Sequence, residues 1–563
     1  MALSLSNYLL TDDLTILLAL ISVTVFLLNN LYKPQPLVHP ILLGRQSDVG
    51  RARNPGESAV YRNYSTGLMG RFPVRPGKEV HIIADFVKPE VEAPRTLWST
   101  KLTNGHLIDR AAAFGTGLLR LSRVQPQKSN VLLLLNDCLE FIVADLALAS
   151  HSIKSITLSS STLLSAVLES HQPSAIITHA FLLPQLLELI YDSDARHIEH
   201  TLVVVGEPSV QAMASVASNV KVLKFADLEH EGFKAEKILS PVPRPSDVFT
   251  MVVYESEGQV HGAQFTHENM TAGVAAVRAL FPTNVLSPLD TILSTHPMST
   301  AYGRAVAYAA IYEGTSFATL PSSELYHVDE NSVKPDNAEV VATRKYPTPA
   351  PTVLFIRPGH LGSIVTGITK TAEKGWVSHA FAWRHKIAGL AEGFITNQSL
   401  WDRLVFDSAR AKVLGHAAPM LRAVVVSGGP IPNTLILPAR VALSVPLVNA
   451  FTHPLSPTPI LASHPLDLQE LPNEDAHTGP PGINVEVKLR GVDDDAVEGG
   501  ADPVGEILVR GPPVGKRVGL EDYVNVGAGG EDQDSGDEPE WIVLGVRARV
   551  QTNGAFVVVG DRK

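Results

Sequence analysis

The chain has 563 residues, 45% hydrophobic and 18% charged, a balance that excludes disorder over most of its length and suits two or more packed domains. Its 57 acids against 46 bases give a net charge of −11, and no Lys/Arg run stands out, so a nucleic-acid partner is disfavoured because phosphate contacts need a basic surface. A single cysteine, Cys138, rules out an intramolecular disulfide, and 41 glycines with 40 prolines exclude a long coiled coil.

In chain order, Leu14–Tyr32 comes first, an unbroken apolar run without a charge. Nineteen helical residues rise roughly 28 Å, close to the ~30 Å hydrocarbon core of a bilayer. Asp12 and Asp13 ahead of the run argue against a cleaved signal peptide. Asn29 and Asn30 shorten its strictly apolar part, so two readings stand: a membrane anchor over residues 1–36, or a buried core helix. On the first reading Lys33, Arg45, Arg51 and Arg53 place the body in the cytosol, on the endoplasmic reticulum or a lipid droplet.

Residues 37–103 read as an entry region, and 104–478 as an α/β domain. Its expected strands are Val131–Leu135, Ile153–Leu158, Ser174–Thr178, Val203–Val205 and Thr250–Tyr254. Helical patterns at Cys138–Ser150, Thr162–Ser170 and Leu182–Tyr191 alternate with them, which argues for parallel β-α-β units and a doubly wound sheet. From 479 to 563 the pattern changes. Ile483–Leu489 and Gly505–Arg510 suggest short strands of a β-rich subdomain, and the acidic tracts Asp493–Glu498 and Glu531–Glu540 read as solvated loops.

Tyr254–Asn269 reads YESEGQVHGAQFTHEN between a strand and a helical pattern. Glycines in that setting can hold phosphate with backbone N–H groups and the helix dipole. The segment resembles the end of the phosphate loop of adenylate-forming enzymes: Gly262, Thr266 and His267 fit well, Ser256 and Gly258 loosely. Pro351–Pro358, Ser399–Ala409 and Val424–Pro430 are similar to segments of one branch, the long-chain fatty acid–CoA ligases. The ending Gly560–Lys563 resembles their hinge, with Gly505–Ile507 and Trp541 in the right order before it.

That resemblance implies the layered α/β sheets of the large N-terminal domain of adenylate-forming enzymes plus a small β-rich subdomain. It implies activation of a long-chain fatty acid by Mg-ATP to an acyl-adenylate, then thioester formation with coenzyme A. The nucleotide would meet Ser256, Gly258, Gly262, Thr266, the Ser427-Gly428-Gly429 turn facing adenine, the stacking ring of Phe451, and Arg562. Arg562 reads equally as a charged terminal residue. Thr300 and Arg304 take the places of a His and an Arg that line the acyl site, although Ser299 or Thr300 fits a helix N-cap as well.

Several positions depart from the pattern. The phosphate loop is short and carries Glu255 and Glu257, and His261 stands at the lysine position with only part of a charge at neutral pH. Pro454 and Leu455 replace the Thr and the magnesium-binding Glu, offering no side-chain oxygen, so no metal ligand is assigned. Val546 replaces the Asp that grips the ribose, and the sequence stops at Lys563, where the family's small C-terminal domain begins. Ser427 lacks the G-x-S-x-G setting of a hydrolase nucleophile, no His pair suggests zinc, and Cys138 reads as a core residue. Two functions are therefore expected: a membrane-bound AMP-forming long-chain fatty acid–CoA ligase, or a non-catalytic relative that keeps an acyl pocket and serves as a lipid-binding or scaffolding protein.

Overall fold

The computed structural model describes residues 13–31, 36–50, 52–170, 173–192, 199–282, 285–327, 339, 348–469, 476–519 and 540–559. Three sheets organise them. The first runs Lys516–Gly519, Gln259–Thr266, Val248–Ser256, Lys154–Leu158, Asn130–Leu134, Ala175–His179, His200–Val205, Val220–Lys224. It is antiparallel over its first two pairings and parallel thereafter. The parallel strands are near-continuous Val, Leu and Ile runs because both faces are covered.

A second eight-stranded sheet runs Leu461–Ala462, Leu447–Phe451, Ala423–Val426, Val353–Ile356, Thr291–Ser294, Ser316–Thr319, Arg95–Leu97, Thr100–Leu102. The third is a six-stranded antiparallel sheet, and it joins distant parts of the chain. Ser47–Val49 and Tyr61–Asn63 pair beside Glu486–Arg490, followed by Val504–Arg510, Ile542–Val550 and Phe556–Val559. Residues 37–103 thus supply strands to two sheets, and Lys516–Gly519 leaves the β-rich region to edge the first sheet.

Helix Ala301–Glu313 lies between the two large sheets, and its sequence AYGRAVAYAAIYE explains how: small side chains let it approach both sheets, and twelve of its residues are buried. The charge it carries into this layer is Arg304, 1% exposed. Arg304 pairs with Asp145 of helix Leu139–Ser150 at 3.3 Å and donates to Thr250 (2.9 Å), Thr157 (3.1 Å) and the Met298 carbonyl (3.1 Å). Tyr308, one turn on, donates to the other Asp145 oxygen at 2.6 Å. Desolvating an ion pair is costly, so one kept here needs further hydrogen bonds, which Thr250, Thr157, the Met298 carbonyl and Tyr308 supply.

The N-terminal run folds as helix Asp13–Leu31, yet among the described residues no helix is long and apolar enough to cross a membrane. The spanning anchor is therefore unsupported. Asn29 and Asn30 interrupt the run, leaving an apolar rise of about 22 Å against a core of ~30 Å. The buried-helix reading fails as well, since Leu14 (62%), Leu20 (62%) and Phe26 (67%) are exposed. Asp493–Glu498 is also no loop: Asp493 caps a short helix, Asp494–Glu498, whose first acid pairs with Arg53. Most of Glu531–Glu540 lies outside the described residues.

Replacing Arg304 by alanine leaves Asp145 buried and uncompensated. Urea unfolding should show a loss of roughly 3–5 kcal/mol; a loss below about 1 kcal/mol would remove this network from its structural role.

Candidate nucleotide and acyl site

The segment expected to form a phosphate loop is a β-hairpin. Val248–Ser256 and Gln259–Thr266 pair along their length, Ser256 opposite Gln259, leaving only Glu257 and Gly258 to turn the chain. Both have positive φ, 53° and 75°, the signature of a type I′ turn that matches strand twist. Gly262 lies mid-strand between Val253 and Val518, where an added Cβ would come within 2.7 Å of Met251 Sδ. Its missing side chain serves close packing, and no phosphate approaches it there. Gln259–Thr266 is paired along its inner edge with Val248–Ser256 and, over His261–Gln264, along its outer edge with Lys516–Gly519.

Thr266 is likewise occupied. It caps helix His267–Ala279 in a reciprocal box with Asn269: its hydroxyl accepts from the Asn269 N–H at 3.2 Å, and its own N–H donates to Asn269 Oδ1 at 2.8 Å. His267 is buried against Phe249 and accepts from the Ile83 N–H; burial pulls it down to about 4 despite Asp247 and Asp85. Glu255 and Glu257 are exposed at the turn. Glu257 also reaches Gly545, where a Cβ would sit 3.0 Å from its carboxylate. The hairpin tip therefore rests on Leu544–Val546, the segment expected to hold ribose.

His261 is half-buried, its ring 5.8 Å from Tyr254, whose hydroxyl accepts from Arg517 Nε at 3.2 Å. His453 packs edge-on to the same Tyr254 ring; burial, then Arg517, lowers it to about 4. The cation at this corner is thus Arg517, with both neighbouring histidine rings beside one tyrosine. Pro454 is exposed and Leu455 fully buried, its carbonyl accepting from the Gly515 N–H at 2.9 Å. Among the described residues no three His, Cys, Asp or Glu side chains gather to hold a metal ion. The residues at this place do not fit magnesium.

Ser427 ends strand Ala423–Val426 at its carboxyl edge, and Gly428 and Gly429 turn the chain with φ of 85° and 158°. The Ser427 hydroxyl is buried 2.8 Å from His296 Nε2. Burial first, then Arg357 and His360, lowers His296 to about 3, so a neutral imidazole shares this hydrogen bond with the Ser427 hydroxyl. A base this weak does not activate a serine near neutral pH. Phe451 ends strand Leu447–Phe451, half-buried and paired with Leu461. Nothing local marked His296, since its partner lies 131 residues away, and Arg357 and Arg517 were also missed.

The two expected acyl-site residues are structural. Thr300 caps helix Ala301–Glu313, accepting from the Gly303 N–H at 3.2 Å and donating to the Pro297 carbonyl at 2.7 Å. Arg304 is consumed by the Asp145 network. Arg562 lies outside the described residues. A cavity with apolar walls lies elsewhere, at the far end of helix His267–Ala279. It holds about 410 Å³ and is lined by Leu42, Ala276, Ala279, Leu280, Pro459 and Ile483, with Arg45 at its wall.

Layered sheets with strand ends converging on a Ser-Gly-Gly turn define an adenylate-forming type of domain. The AMP-binding enzyme family matches residues 87–517, and the chain belongs to that family. Among curated relatives, human long-chain-fatty-acid–CoA ligase 1 is 25% identical over 350 residues, covering 61% of this chain and 45% of the relative. Arabidopsis thaliana long chain acyl-CoA synthetase 8 is 21% identical over 340 residues, covering 58% and 45%. The chain thus spans under half the length of these relatives. In fold it is similar to a long-chain-fatty-acid–CoA ligase from Archaeoglobus fulgidus, with a TM-score of 0.58, 13% identity, and coverage of 87% of this chain and 84% of that one. An anthranilate CoA ligase in complex with anthranoyl-AMP gives 0.59 at 14% identity, covering 86% and 78%.

Buried neutral histidines give a pH dependence. A histidine held below its unfolded value of 6.5 takes up its proton more readily in the unfolded chain. Stability is complete above about 6.5 and falls as the pH drops toward 4, by up to about 1.4 kcal/mol per unit for each such histidine. Urea unfolding between pH 7.5 and 4.5 should show this slope, reduced in His296→Leu; an unchanged slope in that variant would contradict the assignment.

Proposed function

We propose that this chain is a catalytically impaired relative of the long-chain fatty acid–CoA ligases, one that binds a long-chain acyl group, free or adenylated, and acts as an acyl-binding or scaffolding protein. The observation that carries this reading is the hairpin. Phosphoryl chemistry on a carboxylate depends on positioning and on donors and cations around the phosphates. Here the donors at the phosphate place are spent in sheet pairing, and the metal place is Pro454-Leu455. Mg-ATP is the reactant most affected, and coenzyme A has no assigned seat.

The acyl part fares better. A cavity of about 410 Å³ falls within the size range of ligand pockets, and its apolar wall suits an alkyl chain. At that wall Arg45 lies 5.2 Å from the Tyr64 ring centroid and is ion-paired with Asp48 at 3.2 Å, so a ligand carboxylate there would share or displace that pair. The competing reading is a working AMP-forming ligase, with Arg517 supplying a fixed charge at this corner. It draws on family membership and on the exposure of Arg517 beside Tyr254.

A steady-state assay with palmitate, Mg-ATP and coenzyme A separates the two. Turnover should lie at least about a hundredfold below a competent ligase run alongside, the scale expected when a positioned donor is lost; comparable turnover would sink the reading. Palmitate should still bind in a calorimetric titration and bind more weakly to Ala279→Trp, which fills the cavity. Failure of palmitate to bind the parent chain would refute the acyl-binding half.

A further inference from the structure

Helix Trp376–Ala391 turns Ala382, Lys386 and Leu390 toward the core with Trp383 and Ile387 packed beside them, and leaves Trp376 (78%) and Phe381 (61%) exposed. This orientation is fixed by chemistry: buried Lys386 is ion-paired with Asp402 and donates to Ser444 Oγ at 3.0 Å. Asp402 is held a second time by Arg410 at 2.8 Å, so the helix cannot roll its aromatic side inward without stripping a buried carboxylate of its partner.

The exposed strip continues onto a neighbouring element. Phe381 stacks on Trp401, centroids 6.3 Å apart and planes 15° from parallel. Trp401 belongs to the helical segment that also exposes Leu400 (66%) and Leu404 (64%). Val377, Phe381 and Arg384 share one helical stripe, and Leu400, Arg403 and Leu404 another, so cations interleave with the apolar side chains. Across 370–412 the exposed bases are Lys370, Lys374, Arg384, Arg403 and Lys412. They outnumber the exposed acids Glu373, Glu392 and Asp407, in a chain whose net charge is −11.

A third observation selects the occupant. The Leu37 N–H donates to the Gly393 carbonyl at 3.0 Å, just past the end of this helix. The exposed apolar helix Asp13–Leu31 ends six residues before Leu37, so at most ~22 Å of extended chain separates it from that point. Two apolar elements that the body leaves uncovered therefore join it at one helix, one of them bordered by cations. Exposed Trp, Phe and Leu with interleaved Lys and Arg suit the boundary between headgroups and acyl chains, where spanning is not required.

We propose that Trp376, Val377, Phe381, Leu400 and Leu404 form an interfacial docking surface for an anionic lipid bilayer, with Lys374, Arg384 and Arg403 meeting the headgroups. The surface is distinct from the acyl cavity and does not depend on the function proposed above.

The test uses the full chain with vesicles of phosphatidylcholine containing phosphatidylserine, and with phosphatidylcholine alone. Co-sedimentation should be stronger on the anionic vesicles and should fall roughly tenfold or more in Phe381→Ser/Leu404→Ser, the scale of losing buried apolar area. Brominated acyl chains report the contact directly, because the chain has five tryptophans and Trp376 is the one facing outward at 78%. Quenching should be present in the parent and largely lost in Trp376→Phe, whose binding otherwise persists. Vesicle binding with no Trp376 quenching would assign attachment to the N-terminal helix alone and overturn the proposal. So would concentration-dependent self-association that Phe381→Ser/Leu404→Ser abolishes without any change in vesicle binding, since the surface would then pair two copies of the chain.

Discussion

Pairing between Val248–Ser256 and Gln259–Thr266 constrains everything around the strand ends. A two-residue turn with both φ angles positive lets the two strands stay in register to their tips. Each amide committed to that register is lost as a donor for an anion, and the outer edge of Gln259–Thr266 is taken in turn by Lys516–Gly519. Glu257 at the tip then lies on Gly545, so the same turn reaches the segment where a ribose would be held. One two-residue turn thus sets both the register of the strand pair and the approach of Glu257 to Gly545.

The interior relies on neutral polar pairs and on hydrogen-bonded ion pairs such as Arg304–Asp145. His296 and His267 are buried and His453 is half-buried; desolvation lowers all three, against nearby carboxylates at His267 and together with nearby cations at His296 and His453, and their partners are the Ser427 hydroxyl, the Ile83 N–H and the Tyr254 ring. Arg304 works in the opposite way, keeping its charge because Asp145, Thr157, Thr250 and a carbonyl surround it. Arg304 is thereby held between the two large sheets. Arg517 and Arg357 are the exposed arginines left near the strand ends.

The layered architecture was legible because it rests on local signals. Apolar runs such as Val131–Leu135 and Ser174–Thr178, alternating with helical patterns, gave strands now found at Asn130–Leu134 and Ala175–His179. The site was less legible. Resemblance led Tyr254–Asn269 to be read as a loop, although Glu257-Gly258 between two strand-like runs carried a hairpin signal of its own. Arg304 looked like a ligand contact because burial by three other segments cannot be seen from its neighbours. The Ser427–His296 bond spans 131 residues, and Lys386 facing inward reverses the polarity that helix patterns assume. Where the sequence misled, long-range pairing had overridden a local motif.

Backbone hydrogen exchange across residues 254–266 tests the closed hairpin most directly, with and without Mg-ATP. The account predicts slow exchange at the paired amides on both sides of Glu257-Gly258, unchanged by nucleotide. Fast exchange over Ser256–Gly262 in the free chain, or protection there that appears only when Mg-ATP is added, would mean an open phosphate loop and would contradict it.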